Sequence, residues 1–350
     1  MCKSGDNDVK VELHDVPIPE PNPDQVLIKV IVSGTNPKDW KIPIWSGKAS
    51  GTNSGDDIAG IVESVGDNVT EFKPGDRVAA FHEMRKPGGS FAEYAIAWEK
   101  STFHLPKQTS FEEAATIPLA AMTAAVGLFP RLGLPEPWDT TSEAREKAKG
   151  GVLVYSAAGA VGAFAVKLLR RANVHPIIAV AGRGIGFVEG LIDRSKGDTI
   201  IDYRQSSEEI VKGLRAAIPA GQKLFYALDA VSEKGSYENI VQVLDKDGHL
   251  SLVLPAPKHE GVPDTIKQTL TAVGSVHGVP DDLSDFGYAW FRLFSLGLKE
   301  GWFSGHPHEV VPGGLAGVQT GLRNLIQGKA SAVKYVYRVE ETEGAGKSKI

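Results

Sequence analysis

Cysteine is the scarcest resource in this 350-residue chain: there is one, Cys2. A single thiol cannot close an internal disulfide, and it cannot build a metal site on several thiolates. Its place beside the initiator suggests a frayed terminus rather than a catalytic position. Positive charge is also short. Lys and Arg number 38 against 43 Asp and Glu, giving a net charge of −5, and the basic residues are scattered. That balance argues against a nucleic-acid partner. No run of about 18 apolar residues is evident, so no membrane span is expected. Residues 1–10 lack the apolar core of a secretory signal, which leaves a cytoplasmic protein as the default expectation. No repeat of solenoid period is visible.

The length exceeds the roughly 250–300 residues at which one core tends to split, so two domains are expected. The first 125 residues read as strands and turns. Residues 26–32 form a β-branched run, 58–65 a second, 77–81 a third after the turn Lys73-Pro74-Gly75-Asp76, and 90–97 a fourth after Gly88-Gly89. These short strands suggest a compact β-barrel-like domain. Residues 111–128 read as a helix interrupted at Pro118, and 135–150 as an exposed loop or insertion. Strands at 152–155, 177–180, 199–201, 224–228 and 249–253 then alternate with helices at 161–172, 208–217 and 236–244. This β-α repetition argues for a doubly wound parallel sheet. A helix at 314–327 and a strand at 332–339 follow.

Residues 157–162, Ala157-Ala158-Gly159-Ala160-Val161-Gly162, read A-x-G-x-x-G between a strand and a helix. That is the context of a dinucleotide fingerprint. Gly159 lets the backbone approach a pyrophosphate, Gly162 lets helix and strand pack closely, and the helix N-terminus favours the phosphates. The competing reading is a small-residue turn made for packing. The spaced glycines Gly182, Gly184 and Gly186 follow the second strand instead and read as a flexible loop. An NAD site usually carries an Asp or Glu at the end of that second strand. Here the strand ends in Ala181-Gly182-Arg183, and a guanidinium suits the 2′-phosphate of NADPH. The alternative is an Arg183 directed to solvent.

With these pieces in order, the sequence resembles the medium-chain dehydrogenase/reductase superfamily, in its zinc-free quinone oxidoreductase and enoyl reductase branch. The resemblance rests on Asn36-Pro37-Lys38-Asp39, Gly60-Ile61-Val62-Glu63-Ser64-Val65-Gly66, Lys73-Pro74-Gly75-Asp76-Arg77-Val78, Gly89-Ser90-Phe91-Ala92-Glu93-Tyr94, Ala114-Ala115-Thr116-Ile117-Pro118 and the fingerprint. Within the branch it looks most like stand-alone fungal enoyl reductases that serve polyketide synthases. The resemblance implies an α/β protein. A GroES-like β-barrel catalytic domain, 1–125 completed by 303–350, would accompany a Rossmann nucleotide-binding domain, 126–302. Zinc relatives carry a Cys and a Gly-His-Glu segment as ligands. Those positions here read Gly34-Thr35-Asn36 and Gly55-Asp56-Asp57, so no metal is expected, and Asp56-Asp57 reads as a structural turn.

Carried over residue by residue, the resemblance places Asn36 and Lys41 in the substrate cleft and Thr123 near the nicotinamide. Lys41 would stabilise an enolate or deliver a proton; its plain alternative is a surface lysine, and that of Thr123 a hydroxyl bonded to its own helix. Cofactor contacts would come from Ala158, Gly159, Ala160, Val161, Gly162, Gly182, Arg183 and Tyr203, and from the backbone of Leu252 and Val253. His306-x-His308 reads as a loop. The expected function is NADPH-dependent hydride transfer to an activated C=C bond or a quinone. Two alternatives stand beside it: a trans-acting partner of a polyketide synthase carrier domain, and a catalytically idle NADPH-binding sensor or scaffold. A homodimer is a further expected partner state.

Overall fold

The computed structural model describes residues 2–5, 8–46, 51–256 and 259–346. The chain divides into two compact units, residues 1–122 with 274–350, and residues 123–273.

The first unit is built on the ten-residue strand Gln25–Gly34. β-Branched residues at Val26, Ile28, Val30 and Val32 occupy alternate positions and are all buried. One edge of this strand pairs antiparallel with Asp57–Val65, with register shifts that bend the pair. Its other edge is shared. Residues 25–29 pair with Tyr94–Trp98, and residues 32–34 pair with the C-terminal strand Lys334–Arg338. Arg77–Phe81 and Thr102–His104 extend the sheet on one side, and His308–Val310 extends it on the other. A separate hairpin pairs Cys2–Gly5 with Asp8–Val11, so the backbone at Cys2 is paired rather than frayed.

The helix Ser284–Glu300 belongs to this first unit, so the chain returns to it at residue 274, not 303. Trp290, Phe291, Phe294 and Leu298 form its buried stripe. Phe291 stacks on Phe103 at 5.7 Å, and Arg292 binds Glu71 at 2.6 Å and the carbonyls of Glu99, Lys100 and Thr102.

The stretch 111–131 forms three consecutive helical pieces. Ser110 caps Phe111–Ala114 by accepting from Glu113 N at 3.1 Å. Pro118 then starts Pro118–Val126, where its missing N–H costs nothing, and a π-helical turn Gly127–Arg131 follows. This stretch is long and apolar enough to cross a membrane by length and mean hydropathy alone. It is 89% buried inside the protein, which makes it a core element.

The second unit holds a six-stranded, all-parallel sheet. Its order is Thr199–Asp202, Ile177–Ala181, Val152–Tyr155, Tyr226–Asp229, His249–Leu252 and Lys267–Leu270. The order reverses at Val152–Tyr155, the switch point beside which such sheets bind ligands. Apolar residues of its strands and helices form a continuous core with Leu153, Ile178, Leu214, Ile240 and Leu250. The edge strand Lys267–Leu270 escaped the sequence reading because it is polar and mostly exposed. The expected loop 135–150 contains a short helix, Ser142–Ala148.

Candidate active site

The fingerprint turn leaves Val152–Tyr155 through Ser156, whose φ of +64° reverses the chain. Gly159 caps the helix Ala160–Arg171 without any side-chain hydrogen bond, and no acidic residue lies in the first turn. The first N–H groups of that helix therefore have no intrahelical acceptor and no competing carboxylate. A Cβ on Gly162 would stand 2.2 Å from the Ser156 carbonyl oxygen, so only glycine lets the helix start this close to the strand. An uncapped helix N-terminus over a glycine-only contact fits a dinucleotide pyrophosphate.

At the ends of the second and third strands, Tyr203 lies across Gly182. A Cβ at Gly182 would sit 2.5 Å from Tyr203 Cζ. Tyr203 N donates to Ala181 O at 3.0 Å, and the residue remains 43% exposed. Arg183 is exposed beside it. The nearby carboxylate, Asp202, is gripped by Arg204, whose Nε donates at 2.9 and 3.0 Å to its two oxygens. Hydrogen bonds from Arg204 hold the Asp202 carboxyl below its ordinary range. The glycine series ends in a turn of its own, with Gly184 capping Ile185–Glu189.

Leu252 and Val253 are bonded within their own unit. Val253 N donates to Ser232 Oγ at 2.9 Å, and Leu252 O accepts from Thr271 N at 2.8 Å. The organiser is Asp229, a fully buried carboxyl at the end of its strand. It accepts from Val231 N, Ser232 N and Ser236 Oγ, and burial pushes its pKa up.

In the first unit, Asn36 sits just before the helix Lys38–Ser46. Its backbone N donates to Asp39 Oδ2 at 2.7 Å. Its side-chain Nδ2 donates to Asp57 Oδ2 at 2.6 Å, and its Oδ1 accepts from Lys334 Nζ at 3.1 Å. Lys334 and Asp57 pair at 2.6 Å while almost wholly buried, their side chains 4% and 0% exposed. Lys334 also reaches Thr116 O, and Asp57 Oδ1 accepts from Leu119 N at 2.7 Å. Lys41 is buried, which removes the surface reading; its Nζ lies 5.3 Å from the ring centroids of both Trp40 and Trp45.

Next to this lies a second buried charge cluster. Lys38 Nζ is 2.7 Å from Asp39 Oδ1, contacts Asp56, and donates to Ser54 O. Asp56 Oδ1 is 2.7 Å from His82 Nδ1, and His82 Nε2 is 3.0 Å from Pro87 O. Burial, reinforced by the charge on Asp56, outweighs Lys38 and pushes Asp39 up to about 6. At Asp56 burial acts in the same sense, but Lys38 and His82 overcome it and hold the carboxyl low. Asp56-Asp57 is therefore no simple turn: Asp57 opens a strand, and both carboxylates anchor buried ion pairs.

Thr123 is buried within Pro118–Val126 and falls in the second unit. His306 is buried, with its backbone N bonded to Thr116 Oγ1 at 2.9 Å, and His308 begins a short edge strand. Among the described residues, no group of three or more His, Cys, Asp or Glu side chains is arranged to hold a metal ion. Sequence reasoning placed Asp57 in a turn and gave no role to Lys334, His82, Asp229 or Arg204. The one local signal was the adjacent acid pair at 56 and 57.

Comparison with known proteins bears on both units. The alcohol dehydrogenase GroES-like domain family matches residues 22–107. A trans-enoyl reductase of Gibberella fujikuroi, fsr4, is 47% identical, covering 87% of this chain and 88% of that protein. The quinone oxidoreductase of Coxiella burnetii shares the fold, with a TM-score of 0.69, 21% identity, and 97% of each chain covered. A mycobacterial protein solved in complex with NADPH also shares it, with a TM-score of 0.70, 19% identity, and 92% and 94% covered.

Proposed function

The chain belongs to the medium-chain dehydrogenase/reductase superfamily, in its enoyl and quinone reductase branch, and on that premise we propose that it reduces the C=C bond of an enoyl group at the expense of NADPH. The 47% identity to a trans-enoyl reductase over most of both chains is the observation that carries this reading. The chain is an oxidoreductase that uses a nicotinamide cofactor. The finer choices, NADPH over NADH and an enoyl acceptor over a quinone, are the proposal.

A bound nicotinamide supplies the hydride. The residues of this chain supply the rest. Ala158, Gly159, Ala160, Val161 and Gly162 are suited to the pyrophosphate through the helix N-terminus. Gly182, Arg183 and Tyr203 are suited to the adenosine end. A 2′-phosphate there meets an arginine and a phenol, and the carboxylate of Asp202 is already neutralised by Arg204. This favours NADPH. As hydride reaches the β-carbon, negative charge moves to the acyl oxygen, so the reaction calls for fixed hydrogen-bond donors and cations at that oxygen. Asn36 and the indole-flanked Lys41 are the candidates, with Thr123 assigned beside the nicotinamide. Lys41 can also return a proton to the α-carbon through water.

Purified protein should consume NADPH with enoyl thioesters, free or attached to a polyketide synthase carrier domain, and less with quinones. Activity restricted to the carrier-bound form identifies a trans-acting partner. Tight NADPH binding with no turnover across enoyl thioesters, enones and quinones would overturn the reductase reading in favour of a sensor or scaffold.

A further inference from the structure

The strand Lys334–Arg338 delivers one long side chain to the beginning of the helix Lys38–Ser46 from 298 residues away. Lys334 Nζ has three donors, and three acceptors surround it: Asn36 Oδ1, Asp57 Oδ2 and Thr116 O. Asp57 is equally committed, one oxygen to Lys334 and Asn36 and the other to Leu119 N. A buried ion pair this fully hydrogen-bonded does more for geometry than for net stability.

The geometry it imposes is on Asn36. With an ammonium on one side and a carboxylate on the other, the carboxamide has one permitted orientation, oxygen toward Lys334 and nitrogen toward Asp57. A flipped amide would set like partial charges against both. The amide nitrogen carries two N–H groups, and Asp57 takes one. An ammonium on the amide oxygen also favours the charge-separated form of the amide, which strengthens its N–H groups as donors.

We propose that the second Nδ2–H of Asn36 is the donor to the substrate carbonyl oxygen as the enolate forms, and that Lys334 and Asp57 are the positioning residues that aim and polarise it. The inference rests on the reductive reading above. In the step concerned, hydride adds to the β-carbon, the C=C electron pair moves toward the carbonyl, and the oxygen gains negative charge that the N–H shares without transferring its hydrogen. A separate proton then adds at the α-carbon.

Three variants test it: Asn36→Ala, which leaves the Lys334–Asp57 pair in place, Lys334→Met, and Lys334→Arg. Turnover is measured over enones and enoyl thioesters graded in how strongly they activate the C=C bond. The carbonyl stretching band of an isotope-labelled enone is recorded in complexes with NADP⁺. Loss of one donor to a developing oxyanion lowers kcat about 10²–10³-fold. Asn36→Ala should fall in that range, with the deficit growing as the substrate becomes less activated. The carbonyl band should shift toward its free value, and NADPH affinity should stay unchanged. Lys334→Met should move in the same direction by less, and Lys334→Arg should recover part of the loss. A uniform deficit across substrates with an unmoved band would overturn the inference, as would wild-type kcat in Asn36→Ala; both leave the reductase reading standing. A wild-type protein inert toward every acceptor overturns both.

Discussion

Replacing Gly162 by alanine places a methyl carbon 2.2 Å from the Ser156 carbonyl oxygen, 2.7 Å from its carbon and 2.9 Å from Ala157 Cα. All three are backbone atoms, so no side chain can swing aside. Relief requires the helix Ala160–Arg171 to draw back from the strand by close to an ångström. Overpacking of this kind costs about 1–3 kcal/mol. At roughly 2–4 °C per kcal/mol for a unit of this size, Tm should fall by about 2–12 °C. The same retreat displaces the N–H groups assigned to the pyrophosphate, and about 1.4 kcal/mol of lost interaction is a tenfold rise in Kd. The internal control is Gly186→Ala. Nothing lies within 4 Å of its Cβ, and it sits inside the short helix Ile185–Glu189. Alanine there should be neutral or stabilising by up to about 1 kcal/mol. Thermal melts and tryptophan-quenching titrations with NADPH read both quantities. If Gly162→Ala binds NADPH like the wild type while Gly186→Ala does not, the nucleotide site has been assigned to the wrong glycines.

Arg183→Ala should weaken NADPH binding at least several-fold and leave NADH nearly untouched; equal losses for both cofactors would remove the 2′-phosphate assignment. Gly182→Ala forces Tyr203 aside and should show the same selectivity. Two of the shifted groups contribute to the pH dependence of stability in opposite senses. His277, whose ring lies 4.9 Å from that of Phe81, is held neutral by burial, with its pKa lowered to about 4. Its contribution is present above pH 6.5 and is lost as pH falls through about 4. Asp39, raised to about 6, contributes in the opposite sense: its share is complete below pH 3.8 and is lost as pH rises through about 6. His277→Phe should therefore flatten the acid side of a Tm–pH profile, and Asp39→Asn the stretch from about pH 4 to 6; unchanged profiles refute the respective assignments. Arg292→Ala removes the clasp of helix Ser284–Glu300 on Glu71 and three carbonyls, and should lower Tm with no change in NADPH affinity.

Local chemistry explains what could be read in advance. The strand 77–81 was legible because β-branched and apolar residues follow a Pro-Gly-Asp turn, and the fingerprint because strand, glycines and helix are contiguous. The helix Ser284–Glu300 was not. Its N-cap position is Leu283, whose side chain cannot cap, and the carboxylate that accepts from Ser284 N, Asp282, stands one residue earlier; glycines stand at 287 and 297, and aromatic residues of low helix propensity fill its buried stripe. The polar edge strand at 267–270 lacked an apolar face because an edge does not need one. Lys41 and Asn36 could be named by resemblance, but what surrounds them could not. The partner of Asp57 lies 277 residues further along the chain, and no local pattern announces it.

That distance has a consequence in time. A growing chain exposes Asp57 first and Lys334 277 residues later. At about 5–20 residues per second, the 277 residues between them take roughly 14–55 s to synthesise. During that interval the intervening residues 123–273 can assemble their own sheet, while the earlier strands wait with an unneutralised carboxylate that water holds in the open. The strand that carries Lys334 closes both the sheet edge beside residues 32–34 and the charge on Asp57. Completion of this unit is thus tied to the synthesis of residues 334–338, and a chain halted before residue 334 lacks both the strand beside residues 32–34 and the ammonium that orients its candidate donor.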